Sequence, residues 1–208
     1  KHTCRPIKTH VLSKLFYNNY YLLYFVLGCV LKPTTHEIVP AAVTILACCV
    51  QSPQLQLHSK VTHSNNTLGL DIGRFINHFQ VNTHLDIDLN AVEHVALTDD
   101  MQLFHVDFMK NFADEREVLA LLDLKSQQVV KVQHTGTIHA VPYWFVLHFP
   151  GCNNCKLSTF SGAYQGSHWR LAVVLLKEEL YVKEGQDILI SATCKDSCVS
   201  VSVQTLAV

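Results

Sequence analysis

From Val81 onward the sequence takes on the period of strands, in short runs separated by polar turns, with clean alternation of apolar and polar residues at 84–89 and 199–204. A period of two is the repeat of a β-strand, whose successive side chains point to opposite faces, so such runs bury one face and wet the other. His84–Leu89 (HLDIDL) alternates strictly. Runs at 103–108, 118–124, 129–133 and 138–149 follow, then 169–176, 179–182, 187–193 and 199–205. Pro150-Gly151 breaks the long run before it, and 183–186 (KEGQ) and 195–197 (KDS) read as hairpin turns. Many short strands with regular turn signals predict an antiparallel barrel or sandwich.

The first part of the chain has a different texture. Ala41–Val50 is a continuous apolar run between breakers, which fits a strand buried on both faces, as in a parallel or mixed α/β sheet. Residues 71–79 (DIGRFINHF) place Ile72, Phe75, Ile76 and Phe79 at helical spacing, predicting a short amphipathic helix. Tyr20–Leu31 is apolar and follows Lys1, Arg5, Lys8 and Lys14. It falls short of the about 20 apolar residues a spanning helix needs. A buried helix or strand, or the core of a signal segment, fits it.

Length and charge narrow the function classes. The 208 residues suit one domain, or one domain plus a fragment of another, and 49% apolar content supplies a core. With a formal net charge of −1 and no strong Lys/Arg cluster, neither nucleic acid nor membrane is expected as a partner. The thirteen histidines are scattered, and none forms a helical metal-binding pair. Of eight cysteines, Cys4, Cys29, Cys48 and Cys49 lie early, Cys152 and Cys155 form C-x-x-C, and Cys194 and Cys198 form C-x-x-x-C. The last two pairs either clamp a zinc ion, if the fold joins them, or are unbonded thiols in turns. The second reading is the expectation, with no metal ligands assigned.

No G-x-G-x-x-G, P-loop or G-x-S-x-G is present, and Asp71-Ile-Gly73 is too weak to claim a nucleotide. The carboxylate pairs Asp86/Asp88 and Asp99/Asp100 read as solvated surface. Spacing alone yields no reaction and no catalytic residue.

One constellation is distinctive. Leu157-Ser-Thr159, a polar spacer, then Ser167-His-Trp-Arg170 running into an apolar strand resembles the end of the barrel of the protein arginine methyltransferase family, with Ser167 where that family has threonine. Val141–Phe145 (VPYWF) resembles the family's aromatic strand, and Leu180–Ile188 its penultimate hairpin. Thr67–Phe79 is similar to part of the C-terminal module of a tandem-module member, and Leu31–Ser52 resembles the last strands of the family's Rossmann-like half, with Thr34-Thr35 in place of a glycine pair. The resemblance covers 31–208.

It implies a mainly β fold: an antiparallel barrel or sandwich of the arginine methyltransferase type, preceded by the last strands of a Rossmann-like α/β half. The expected division is an unassigned segment at 1–30, the end of the Rossmann-like half at 31–57, and the barrel at 58–208 with a helical arm near 71–79. Ser167, His168 and Trp169 would form the substrate-pocket loop, and Phe75, Ile76 and Phe79 an interaction arm meeting another module. The family's donor is S-adenosylmethionine, bound by a glycine-rich loop, and paired glutamates hold the arginine. Neither element is found in this sequence, so the resemblance implies a non-catalytic, substrate-side scaffold that binds no cofactor itself. Its partners would be arginine-bearing protein substrates and a catalytic module, in the cytoplasm or nucleus. The alternative is a free-standing β-sandwich binding protein, secreted or zinc-stapled.

Overall fold

The computed structural model describes residues 39–57, 60–61, 67–78, 84–110, 123–151, 155–160, 171–195 and 198–206. Readings that fall on 1–38, 118–122, Phe79, Cys152 and Ser167–Trp169 lie outside the described residues.

The strands are β1 (Ala42–Ala47), β2 (Val50–Gln51), β3 (His84–Ile87), β4 (Val95–Ala96), β5 (Met101–Asp107), β6 (Asp123–Lys131), β7 (Gly136–His148), β8 (Lys156–Ser158), β9 (Leu171–Val182), β10 (Asp187–Lys195) and β11 (Cys198–Thr205). Two short helices, α1 (Pro53–Leu57) and α2 (Gly73–His78), and a 3-10 turn at Leu89–Ala91 interrupt them. The strands form two antiparallel sheets. The larger runs β3-β9-β7-β1-β5, with β2, β4 and β8 attached, and the smaller runs β11-β10-β6.

β7 organises the larger sheet. Residues Ile138 to Trp144 are all buried, on both faces. One face joins Ile138, Val141 and Tyr143 to Ile188, Ile190 and Ala192 of the small sheet, forming the principal core between the sheets. The other joins Ala140 and Trp144 to Leu55, Leu89, Leu171 and Val173 in a second core beneath α1 and the 3-10 turn. A wholly buried aliphatic side chain stabilises by roughly 1.5–3 kcal/mol, so a strand packed on both faces carries a large share of the fold.

A proline inside so central a strand needs explaining, because it cannot donate to the ladder. The Cys48 amide donates to the Pro142 carbonyl at 3.3 Å. In an antiparallel ladder both polar groups of a residue face the same neighbour. The missing donor of Pro142 therefore falls at Cys48-Cys49, where pairing of β1 with β7 ends and β2 has not begun.

The apolar run at 41–50 does form strands, and they are well buried, but they are not parallel. β1 pairs antiparallel with both β5 and β7, and β2 pairs with β4 and β7. Its double burial comes from the two cores, not from flanking helices. The described strands of 31–57 are thus built into the larger antiparallel sheet.

The runs at 169–176 and 179–182 belong to one strand, β9, from 171 to 182. Between the pairs Ile138↔Leu180 and Ala140↔Leu175 its register with β7 jumps, leaving 176–179 opposite His139 alone. The polar residues that seemed to end a strand form a bulge in it. The turn at 183–186 forms, with Gly185 at φ 79° and the Gln186 amide donating to the Lys183 carbonyl at 3.0 Å. It turns a corner, however: β9 pairs with β3 and β7, whereas β10 pairs with β6 and β11. The pair Lys195↔Cys198 closes a true hairpin. The described part of 118–133 is a single strand, β6, followed by the bridge Thr98↔Val132.

Gly136 starts β7 against a side chain that leaves no room for a Cβ. Such an atom would lie 2.9 Å from Leu97 Cδ2 and nearer still to Gln51 Oε1, which accepts the Thr137 amide hydrogen at 2.7 Å. Gly136→Ala should expel Gln51 and orphan that amide, costing about 1–3 kcal/mol in urea unfolding. Gln51→Ala should cost a similar amount, and the double variant little more than either single one.

Candidate functional site

β8 lies along the end of β7, where Val146↔Ser158 and His148↔Lys156 pair. It is pinned by Thr159, which is 2% exposed: the Thr159 amide donates to the Phe145 carbonyl at 2.9 Å, and the Phe145 amide donates to Thr159 Oγ1 at 3.1 Å. Phe160 follows and packs on Trp144 with ring centroids 4.7 Å apart. Eleven residues later comes Leu171, wholly buried and paired with Ile87 of β3. Ser167, His168 and Trp169 lie within that interval and outside the described residues. Both anchors of their segment are fixed on the second core, so the Leu-Ser-Thr signal marks a real structural element.

Leu68 (φ 56°) and Gly69 (φ 83°) turn the chain into Leu70, Ile72 and α2. Asn77 ties it down: its Oδ1 accepts the Val61 amide at 2.9 Å and its Nδ2 donates to the Val61 carbonyl at 3.0 Å. The apolar positions are turned outward, with Leu68 96%, Phe75 56% and Ile76 47% exposed. The helix of the sequence reading is therefore present from 73 to 78 among the described residues, with Phe75 and Ile76 on its surface.

A polar chain crosses the β9 bulge. His139 is buried, and its Nδ1 accepts the Ser52 amide hydrogen at 2.9 Å, which leaves Nε2 as the donor nitrogen. Nε2 lies 3.9 Å from Glu179 Oε2, and Glu179 Oε1 lies 4.0 Å from Lys60 Nζ. Gaps of that length position charges without a direct hydrogen bond. The bulge brings Glu179 to His139, a contact invisible to any reading of spacing.

On the outer face of β5-β1-β7, Thr44 Oγ1 lies 2.9 Å from His105 Nδ1 and 2.8 Å from His148 Nε2. Burial, then the nearby Lys156 and His105, hold His148 below the usual imidazole range. Sequence reading left these two histidines unassigned because 43 residues separate them in the chain, and only the strand register joins them.

The thiols are inert packing groups where they are buried. Burial, reinforced by Asp100, pushes Cys48 up to about 12, and burial with Cys48 beside it pushes Cys49 up to about 12. Burial, then Cys198, raises Cys194 to about 11. Tyr143 is raised too, by burial and then by Cys198, Cys194 and Asp86. Among the described residues, Cys155 is not joined to Cys194 and Cys198. Cys155 is disulfide-bonded, and its carbonyl accepts the Phe149 amide, six residues along β7 from the Tyr143 that Cys194 and Cys198 approach, or roughly 20 Å away. The disulfide also corrects the expectation of unbonded turn cysteines at Cys155; Cys194 and Cys198 are unbonded. Among the carboxylates, Asp88 caps the 3-10 turn through Asn90, and Asp99 accepts from Gln133 at 2.7 Å.

Among the described glycines, Gly136 faces Gln51 and Leu97, Gly73 faces Val61, and Gly69 and Gly185 are open turn positions at positive φ. Among the described residues, no helix is long and apolar enough to cross a membrane.

Comparison with known proteins agrees with this geometry. Residues 40–206 match the family model described as the arginine methyltransferase oligomerization subdomain. The chain therefore belongs to the arginine methyltransferase family. It is 32% identical over 169 residues to mouse protein arginine N-methyltransferase 9, covering 81% of this chain and 18% of that protein, and 29% identical to the human protein over the same length. The chain thus spans about a fifth of the length of these relatives. Its fold is shared by a Trypanosoma brucei PRMT1 enzyme-prozyme heterotetrameric complex with AdoHcy, with a TM-score of 0.65 at 15% identity over 92% of this chain and 59% of that one.

Because the folded pKa of His148 is lowered, the unfolded chain binds more protons below its ordinary value of 6.5. The stability this group contributes is present above that pH and is lost as pH falls through the folded value. Thermal unfolding followed from neutral to acid pH should show that loss, and His148→Gln should flatten it. Alkylation with mass mapping near about pH 8 should modify exposed Cys198 in the native chain, and Cys48 and Cys49 only on unfolding.

Proposed function

We propose that this chain is the substrate-side scaffold and interaction module of a protein arginine N-methyltransferase, the intact protein transferring methyl groups from S-adenosylmethionine to arginine in other proteins. The match of residues 40–206 to the oligomerization subdomain carries this reading. It is supported by an arm that presents Leu68, Phe75 and Ile76 to solvent. Apolar side chains clustered on a projecting segment favour burial against another protein surface. In this reading the arm, including Phe79, meets another module or a second copy.

The 208 residues do not bind the methyl donor themselves, and a separate catalytic module supplies the donor loop and the paired carboxylates. A guanidinium stays protonated at ordinary pH, so it needs carboxylates to orient it. Ser167, His168 and Trp169, held between Thr159 and Leu171, would close the substrate pocket of that module. Arginine-bearing proteins are the substrates, in the cytoplasm or nucleus, and neither nucleic acid nor membrane is a partner.

Two measurements on the purified chain test this. Equilibrium dialysis with labelled S-adenosylmethionine should detect no binding, and a mixture with an arginine-rich peptide no methyl incorporation; donor binding together with transfer by this chain alone would refute the scaffold role. Sedimentation should show self-association that Ile76→Asp abolishes while the circular dichroism spectrum is kept. Unchanged sedimentation of that variant would remove the arm from the interface.

A further inference from the structure

The imidazole pair on the outer face of the larger sheet is used by neither the scaffold reading nor the arm. We propose that His105 and His148, set on either side of Thr44, form a binding site for a late first-row divalent cation such as Zn2+ or Cu2+.

The register builds the pair. Thr44 of β1 stands directly opposite His105 of β5, while His148 of β7 stands opposite Ala42, one pleat along the same face. His105 Nδ1 and His148 Nε2 lie 2.9 and 2.8 Å from the same hydroxyl oxygen. The two rings are inclined at 81° with centroids 5.8 Å apart, so their nitrogens converge on one point from different directions. That point is the Thr44 hydroxyl, so metal–imidazole bonds of about 2.0–2.1 Å require the hydroxyl to turn aside and both rings to close on the ion.

A cation would replace a set of hydrogen bonds that is complete without it. A hydroxyl owns one proton, so Thr44 can donate to only one imidazole, and the other must turn an N–H toward it. A dication between the rings takes lone pairs from both, with the proton of each ring carried on its outer nitrogen, and Thr44 Oγ1 stands close enough to complete a third position. Imidazole nitrogen suits Zn2+ and Cu2+ better than the oxygen-seeking Mg2+ or Ca2+.

Charge around the site is mixed. Lys156 faces His148 across the β7–β8 ladder and opposes a cation, whereas Asp107 stands across Ala42 from His148 and favours one. Among the described residues no three His, Cys, Asp or Glu side chains gather where they could hold a metal. The site is therefore two imidazoles and a hydroxyl, with water at the open positions. Such a site exchanges its ion readily, unlike a closed structural zinc.

The experiment is titration of the metal-free whole chain near neutral pH with Cu2+, read by electron paramagnetic resonance, and with Zn2+, read by calorimetry. The expected result is one equivalent of Cu2+ showing nitrogen couplings from two imidazoles. His105→Gln and His148→Gln should each weaken Zn2+ binding roughly tenfold or more, a loss of about 1.4 kcal/mol or above. A readout free of mutation uses diethylpyrocarbonate: Zn2+ should protect His105 and His148 of the wild-type chain. Equal binding by both variants, or protection confined to other histidines, would overturn the proposal.

Discussion

Double burial of β7 is the constraint on which the rest of the molecule depends. Its seven consecutive buried residues, Ile138 to Trp144, belong to two cores at once, and strands β1, β2, β8 and β9 all hydrogen-bond to it. A strand in that position can be neither shifted nor shortened, because a slip of one residue would exchange the contents of the two cores. Tyr143 faces the small sheet while Trp144 faces α1 and Phe160. Even Pro142 is accommodated only because its missing donor meets the gap between β1 and β2.

Irregularities in this frame create its polar features. One extra residue in β5, between the pairs Ile45↔Phe104 and Leu46↔Gln102, lets Leu103 and Phe104 both turn inward and places His105 on the outer face beside Thr44. The longer bulge in β9 delivers Glu179 to the buried His139. Bulges commonly re-aim side chains at functional positions. Here they account for the two histidine clusters that a regular sheet would have scattered.

Part of the frame beside the candidate site was legible in the residues. Leu157-Ser-Thr159 identified the segment that seals β8 to β7, because the threonine side chain and backbone both serve Phe145. The 3.6-residue spacing of Ile72, Phe75 and Ile76 identified α2. Other contacts were hidden. His105, His148 and Thr44 stand far apart in sequence, as do His139, Ser52 and Glu179, and nothing local to any of them announces a partner. The cysteines were hidden for the same reason, since C-x-x-C and C-x-x-x-C say nothing about where in the sheet Cys155, Cys194 and Cys198 lie.

The sequence by itself determined that this is a mainly β protein of the arginine methyltransferase family, because alternation of polar and apolar residues is a local property and Leu-Ser-Thr and the aromatic strand are local signatures. Only the tertiary structure decided that 42–51 belongs in the antiparallel sheet, that the turn after β9 joins two sheets, and which histidines meet. Those outcomes depend on register and on what covers each face. Register is fixed by packing between strands remote in the chain, and no periodicity along one strand can specify it.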